Sequence, residues 1–248
     1  MDVIMKLRRL HGRIHDVFLD YRKKASKFCR IYIRNQLEKK RLKRESFSLI
    51  SNTCLAGVIY HDMGHRFQSP TINLYIRPCE FVRFCAEIKR YLDEELVEVK
   101  AETSVAPLPD YPVALLGDIT LYCKHDVDFA AAKKAWDRRK KRIDWEHVMF
   151  MMTDRDFVPP VEKCVSPHFC GEEVIHAFSE LPYPRKVCLV KDPIYCEKYS
   201  CCRQVTTGCD QECVGIITNI VSLSGKRMYQ CVRNWDYIDF INAGEKEA

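Results

Sequence analysis

The chain has 248 residues, enough for one α/β domain with a full hydrophobic core, and its 47% apolar and 30% charged composition is typical of globular proteins. No run of about 18 uncharged apolar residues occurs, so we expect no transmembrane helix. The first residues are too charged for a signal peptide, which favours a cytoplasmic location. The net charge of +6 is uneven, since residues 1–44 hold 15 Lys+Arg against 4 Asp+Glu.

Residues 1–44 contain no Pro and one Gly, and their apolar residues recur at helical spacing opposite a face rich in Lys and Arg. We predict a basic helical arm over residues 1–45 and a single α/β domain over residues 46–248. The arm either contacts an anionic membrane surface or packs on the domain or on a partner subunit. Nucleic acid is not expected as a partner, because no recognition motif accompanies the charge.

From residue 46 onwards, short apolar runs alternate with helical patterns. This alternation predicts an α/β fold with a mainly parallel, Rossmann-like sheet flanked by helices. The predicted strands are residues 47–50, 72–76, 96–99, 113–123 with a break at Gly117-Asp118, 148–152 and 187–190. The predicted helices are residues 52–59, 78–92, 127–142, 174–181 and 235–241.

A polar segment follows the first predicted strand and enters a helix. Ligands of open α/β sheets bind at this carboxyl edge, where helix N–H groups favour an anion or a developing oxyanion. Cys54 or Ser51 could be a nucleophile here, and Asn52 could donate to the oxyanion. Gly57 would let the helix approach the sheet closely. In the alternative interpretation, Ser51 and Asn52 only cap the helix and Cys54 packs beneath it.

A Ser or Cys nucleophile needs a base. The candidates are His61, His65 and His125. His61 follows Cys54 by seven residues, which places it two helical turns away and favours His125, at the end of a later strand. Asp118 could orient a histidine, as carboxylates do in catalytic triads, or it could be a turn residue.

A second candidate site follows the apolar strand 148–152. A strand that ends in Asp154-Arg155-Asp156 could hold Mg²⁺ or Mn²⁺ through its two carboxylates, with the ion bridging the diphosphate of an activated sugar. Alternatively, Asp154 caps backbone N–H groups in a turn and Arg155 pairs locally.

A run of cations, residues 138–142, ends the predicted helix 127–142. Arg138 and Arg139 could reach a phosphate of a sugar nucleotide, a lipid diphosphate or coenzyme A. Alternatively, these cations complement the helix dipole at a solvated helix end.

Fourteen cysteines occur in the chain, and five of them fall within residues 196–213. Without an export signal we expect free thiols, which pack as small hydrophobic groups. A zinc site or a disulfide in this cluster is the alternative, although the spacing is an imperfect version of two close cysteine pairs. The five residues are Cys196, Cys201, Cys202, Cys209 and Cys213.

Several segments in fixed order resemble one bacterial family. They read ISNTCLAGVIYHDMG, FQSPTINLYI, YPVALLGDITLYCKHD, AAKKAWDRRKKRIDW, MFMMTDRD and WDYIDFINAG. Together they are similar to the family called domain of unknown function nineteen-nineteen, over about residues 46–244. Its usual SNNCWGG form differs at Thr53, Leu55 and Ala56, and it tends to have Tyr where this chain has Asp126.

Members of that family are often labelled exopolysaccharide or capsule biosynthesis proteins, so the resemblance implies a pathway without a reaction. We predict a transferase that modifies a glycan or glycan precursor, and we favour acyl-type transfer or hydrolysis. The alternatives are a metal-dependent glycosyl- or phosphoglycosyl-type transferase and a non-catalytic membrane-docking or assembly factor. A docking factor would sit peripherally on the inner face of the membrane.

Overall fold

The computed structural model describes residues 16–100, 108–156, 168–206 and 217–244. Helix α1, residues 16–28, continues through a π-helical turn at Cys29–Arg34 into α2, Asn35–Arg41. Two arginines of this segment are buried in contacts with the rest of the chain: Arg30 binds Asp62, and Arg44 donates to the carbonyl of Ile241 at 2.9 Å. Within the described residues, no helix combines the length and the hydropathy needed to cross a membrane.

A four-stranded parallel sheet forms the centre of the fold. Its strands are adjacent in the order β1, β5, β8, β9. They comprise Ser48–Ser51, Val148–Thr153, Lys186–Val190 and Cys202–Gln204. The first three are buried on both faces, as is typical of parallel strands, and they confirm the α/β class. The strand order does not reverse as it does in the Rossmann topology, so that finer prediction is not confirmed.

Helices cover both faces of the sheet. One core layer contains Phe150 and Met152 of β5 together with α4, Pro78–Ala86, and α7, Glu172–Ser179. The same layer includes residues of α5, Ile88–Asp93, and α6, Phe129–Lys140. The opposite layer contains Met149 and Met151, which pack with α3, Leu55–Met63, and α9, Tyr237–Asn242. A short helix α8, Ile194–Lys198, connects β8 to β9.

The long predicted strand 113–123 is an antiparallel hairpin. Strands β3, Val113–Leu116, and β4, Ile119–Tyr122, pair across a turn whose Gly117 has a φ of +59°, a value that favours glycine. β2, Leu96–Glu98, completes a three-stranded sheet. A smaller pair joins β6, Arg155–Asp156, to β7, His168–Phe169.

Three sequence predictions differ from the structure. Residues 72–76 do not form a strand: they make a single bridge between Tyr75 and Tyr122, because Asn73 adopts a left-handed φ of 67°. The predicted helix 78–92 is divided at Glu87, whose φ of −122° lies outside the helical range. The predicted helix 52–59 begins later, at Leu55, and continues to Met63.

Candidate functional site

The connection from β1 to α3 is fixed by the side chain of Asn52. Its amide donates to the carbonyl of Thr153 at 3.1 Å and accepts from the Thr153 N–H at 2.9 Å, which joins the carboxyl ends of β1 and β5. The fully buried Asn52 amide therefore uses its oxygen and one of its two N–H groups to join the two strands, a structural role in addition to the predicted one as an oxyanion donor.

Ser51 is fully buried at the end of β1. Its hydroxyl donates to the carbonyl of Thr53 at 3.0 Å and accepts from the Thr53 N–H at 3.2 Å. Its backbone N–H donates to the hydroxyl of Thr71. These bonds form a local turn, so the structure places Ser51 as a support of the connection, without access to a substrate.

A cavity of about 170 Å³ lies at the carboxyl ends of β1 and β5. It brings together Cys54 and His125, the thiol and the histidine that the sequence predicted to converge at this edge. Thr53 and Thr153 lie at the ends of the two strands. The described lining residues are Thr53, Cys54, Asn73, Leu74, Tyr75, Lys124, His125, Thr153, Arg155 and Ile217.

Cys54 is the N-cap residue of α3 and is half-buried. Burial raises the pKa of its thiol, while a hydrogen bond with Thr218 and the positive charges of Lys124 and Arg227 oppose that shift in part. The net pKa is raised, so the thiol is protonated at neutral pH. Any reaction of Cys54 as a nucleophile therefore requires a base.

Two cations accompany the thiol. The Lys124 ammonium lies 5.6 Å from the ring centroid of Tyr75 and 5.7 Å from that of Tyr111. Desolvation lowers the pKa of Lys124, and its proximity to Cys54 opposes this. Arg155 is almost fully buried, and its guanidinium reaches the sulfur of Met228 at 3.4 Å. The cavity is thus suited to a group that carries or develops negative charge.

The two aspartates proposed as metal ligands are engaged separately. Asp154 accepts from the Lys191 backbone N–H at 2.8 Å, and burial raises its pKa to about 6. Asp156 accepts two hydrogen bonds from Arg77, at 3.0 and 2.7 Å, and one from the hydroxyl of Tyr75 at 3.0 Å. No group of three or more His, Cys, Asp or Glu that could hold a metal occurs in the described parts of the chain.

Asp118 and His61 lie elsewhere. Asp118 is at the hairpin turn, where it accepts from the Tyr91 hydroxyl and from Arg83, each at 2.7 Å, so its carboxylate does not orient His125. The His61 side chain is 81% exposed on α3 and lines a different cavity from that of Cys54.

The remaining predicted site residues are Arg138, Arg139 and Gly57. Arg139 is buried, donates to the Ile72 carbonyl at 2.8 Å and lies over the ring of Phe67. Its neighbour Arg138 is exposed and does not line the Cys54 cavity. Gly57 faces Ile72 so closely that an added Cβ would lie 3.1 Å from its methyl carbon, so its close approach is to the connection before α4 and not to the sheet.

Part of the predicted cysteine cluster is visible. Cys201 and Cys202 are buried and Cys196 is half-buried, and all three are free thiols. Cys202 pairs in register with Cys188, another buried free thiol. Cys209 and Cys213 lie outside the described residues.

A family described as "Domain of unknown function (DUF1919)" matches residues 25–242. The chain belongs to the DUF1919 family. The match extends into the predicted arm, and it includes the Cys54 cavity. A protein of Haemophilus influenzae strain Rd, described as "Uncharacterized protein", is 29% identical over 218 residues, which cover 88% of this chain and 94% of that relative.

Sequence reasoning missed one prominent member of this DUF1919 cavity, Lys124. Its position directly before His125, at the end of a strand, was a usable signal. Tyr75 was assigned to a strand and given no role, yet it lines the cavity and supports both Lys124 and Asp156.

Proposed function

We propose that this DUF1919 protein is a thiol-dependent acyltransferase or acyl hydrolase, with Cys54 as nucleophile and His125 as base. The observation that carries the proposal is the shared cavity, which places a thiol, a histidine and two cations at the carboxyl edge of a parallel sheet. The acceptor, a glycan or glycan precursor, is inferred from the family resemblance alone.

The chemistry follows from the protonated state of the thiol. His125 takes the proton of Cys54 as the sulfur attacks the carbonyl carbon of an acyl thioester. The carbon–sulfur bond of the donor then breaks, and the departing thiolate takes the proton from His125. In the second half, a hydroxyl of the acceptor or of water attacks the Cys54 thioester. Its proton passes through His125 to the departing Cys54 sulfur.

The size and charge of the cavity limit the donor. A volume of about 170 Å³ admits a short acyl group, whereas the nucleotide of coenzyme A would remain outside. Lys124 would stabilise the negative charge that develops on the carbonyl oxygen, because a cation in a desolvated site interacts strongly with an oxyanion. Ser51 and Asn52 would hold the connection that positions Cys54.

Intact-mass spectrometry after incubation with acetyl-coenzyme A tests this proposal. One acetyl group should add to the protein, and peptide mapping should place it on Cys54. Cys54→Ala should abolish the adduct, and His125→Gln should slow its formation by about 100-fold, the lower range for loss of a general base.

Matched controls come from the same chain. Cys79→Ser removes an exposed thiol and His61→Gln an exposed histidine, and both should leave the rate unchanged. An adduct that survives in Cys54→Ala would contradict the proposal. An activity that requires Mg²⁺ or Mn²⁺ and is abolished by a chelator would instead support the alternative of a glycosyl-type transferase that uses Asp154 and Asp156.

We further propose that the N-terminal helices rest on an anionic membrane, which would place the protein at the inner face. Large apolar side chains of this segment are more than half exposed beside many cations: Val17, Phe18, Tyr21, Phe28 and Tyr32. An amphipathic helix of this composition binds bilayers through apolar insertion and attraction to anionic lipid.

Vesicle flotation with phosphatidylcholine, alone or mixed with phosphatidylglycerol, tests this second proposal. Binding should require phosphatidylglycerol and should fall in Phe28→Ser/Tyr32→Ser. Val97→Ser, which removes an exposed apolar residue from the antiparallel sheet, is the control. Equal binding to vesicles with and without phosphatidylglycerol would contradict the electrostatic part of this proposal.

A further inference from the structure

A second, larger cavity lies between the N-terminal helices and residues 219–227. Its volume is about 930 Å³, and we call it the basic groove. Among the described residues, it shares no lining residue with the Cys54 cavity. The groove is therefore a separate feature, which the acyl-transfer chemistry does not use.

The floor of the groove is a rigid ionic cluster. Asp62 is 2% exposed and accepts from Arg30 at 2.7 Å and from Arg227 at 2.7 Å. Arg30 also contacts the buried Glu38 at 3.1 Å. The two arginines and the two carboxylates balance one another, so the floor contributes no net charge and holds its side chains in fixed positions.

The walls add cations without matching carboxylates. Four exposed cations line the groove: Arg22, Lys23, Lys27 and Lys39. Among the described lining residues, Asp62 is the single carboxylate. Since Asp62 is already balanced within the floor, the groove as a whole is strongly positive. A concave surface of one charge concentrates the field and attracts anions.

Apolar side chains lie among these cations. Leu19, Ile31 and Leu223 line the groove and are each at least 36% exposed. A ligand that matches both features combines a multiply charged anion with an organic group. We infer that the basic groove binds a phosphate monoester or diphosphate, contributed either by a soluble metabolite or by the headgroup of a lipid.

Titration calorimetry with inorganic pyrophosphate and with geranyl diphosphate at constant ionic strength tests this inference. Both should bind wild type, and geranyl diphosphate should bind more tightly because of the apolar walls. Lys23→Gln/Lys27→Gln/Lys39→Gln should weaken binding at least tenfold, which corresponds to about 1.4 kcal/mol. Lys24→Gln/Lys40→Gln/Lys43→Gln changes the net charge equally on the same segment but outside the groove lining, and it should weaken binding less than twofold.

Histidine resonances give a local readout. His61 lines the groove, whereas His147 lies before β5 in contact with Asp144. Pyrophosphate should shift the imidazole signals of His61 and leave those of His147 in place. An unchanged His61, or equal losses in the two triple variants, would overturn the inference, because either result would mean unspecific attraction to surface charge.

Vesicles that contain phosphatidic acid, whose headgroup is a phosphate monoester, distinguish the two sources of phosphate. If the groove triple variant loses vesicle binding and its control does not, the ligand is a lipid headgroup. If both variants float equally while pyrophosphate binding differs between them, the ligand is a soluble phosphate. Failure of both pyrophosphate and geranyl diphosphate to bind wild type at millimolar concentration would refute the inference, and it would leave the acetylation of Cys54 unaffected.

Discussion

Replacement of Asp62 by Asn should destabilise the protein severely. The carboxylate receives four guanidinium hydrogen bonds, at 2.7 and 3.1 Å from Arg30 and at 2.7 and 3.2 Å from Arg227. A carboxamide keeps one acceptor oxygen and directs an N–H₂ group at a guanidinium, so Arg30 and Arg227 lose their shared carboxylate, although Arg30 still contacts Glu38. Removal of one member of a buried ion pair costs about 3–5 kcal/mol, and we expect a loss of that size.

Urea denaturation at pH 7, followed by circular dichroism, measures this loss. Asp239→Asn is the matched control, because it breaks a 3.0 Å contact with Arg41 at a side chain that is 72% exposed. Exposed pairs contribute about 0–1 kcal/mol, so the control should remain close to wild type. A loss below about 1 kcal/mol in Asp62→Asn would refute the expectation that the buried ion pairs of Asp62 with Arg30 and Arg227 stabilise the fold.

The same variant should show a defined pH dependence. Burial on its own would raise the pKa of Asp62, but hydrogen bonds and charge from Arg227 and Arg30 outweigh it and hold the pKa below its usual value. A lowered pKa contributes stability above the unfolded value of about 3.9, and this contribution is lost as the pH falls through the lower folded value. The difference between wild type and Asp62→Asn should therefore be full at neutral pH and shrink below about pH 4.

Three further outcomes are expected. Because burial raises the pKa of Cys54, its alkylation by iodoacetamide should have a midpoint above the free-thiol value of about 8.5, and Lys124→Gln should move it higher. Asn52→Ala should lower the free energy of unfolding by about 2 kcal/mol in urea titrations, since it leaves buried backbone groups of β5 unpaired. Burial raises the pKa of Asp154 to about 6, so ionisation of this carboxyl costs folding free energy. As the pH rises from about 4 to 6, wild type should therefore lose thermal stability relative to Asp154→Asn, and parallel pH profiles of the two melting temperatures would contradict this.

The parts of the fold predicted well from the sequence are those with continuous local patterns. The apolar run of β5 and the helical spacing of α6 each identified an element close to its observed bounds. The position of Cys54 followed from the general rule about the carboxyl edge of parallel sheets, whereas His125 reaches the same cavity from beyond the end of β4 in the antiparallel sheet, which that rule does not cover. These predictions needed no knowledge of which distant residues would meet.

Contacts between distant residues could not be predicted. Arg30 and Arg139 looked like solvated cations, yet both are buried because of partners far along the chain, Asp62 for one and the Ile72 carbonyl for the other. Similarly, Asp118 appeared free to orient a histidine until the hairpin placed it beside Arg83. Burial of a charge depends on tertiary partners, which periodicity and spacing do not encode.

The contacts of Arg30 and Arg44 with residues 230–243 affect when the N-terminal segment can fold relative to its synthesis. Arg30 requires Gln230, which is synthesised 200 residues later, and Arg44 requires the carbonyls of Ile241 and Ala243, which are synthesised 197 and 199 residues later. β1 similarly waits for β5, about 100 residues later. Because such non-local pairings make folding slow, the emerging chain exposes β1 and its N-terminal cations until these partners have been synthesised. The N-terminal segment thus reaches its final packing when α9 contacts α2, where the Tyr237 hydroxyl donates to Glu38.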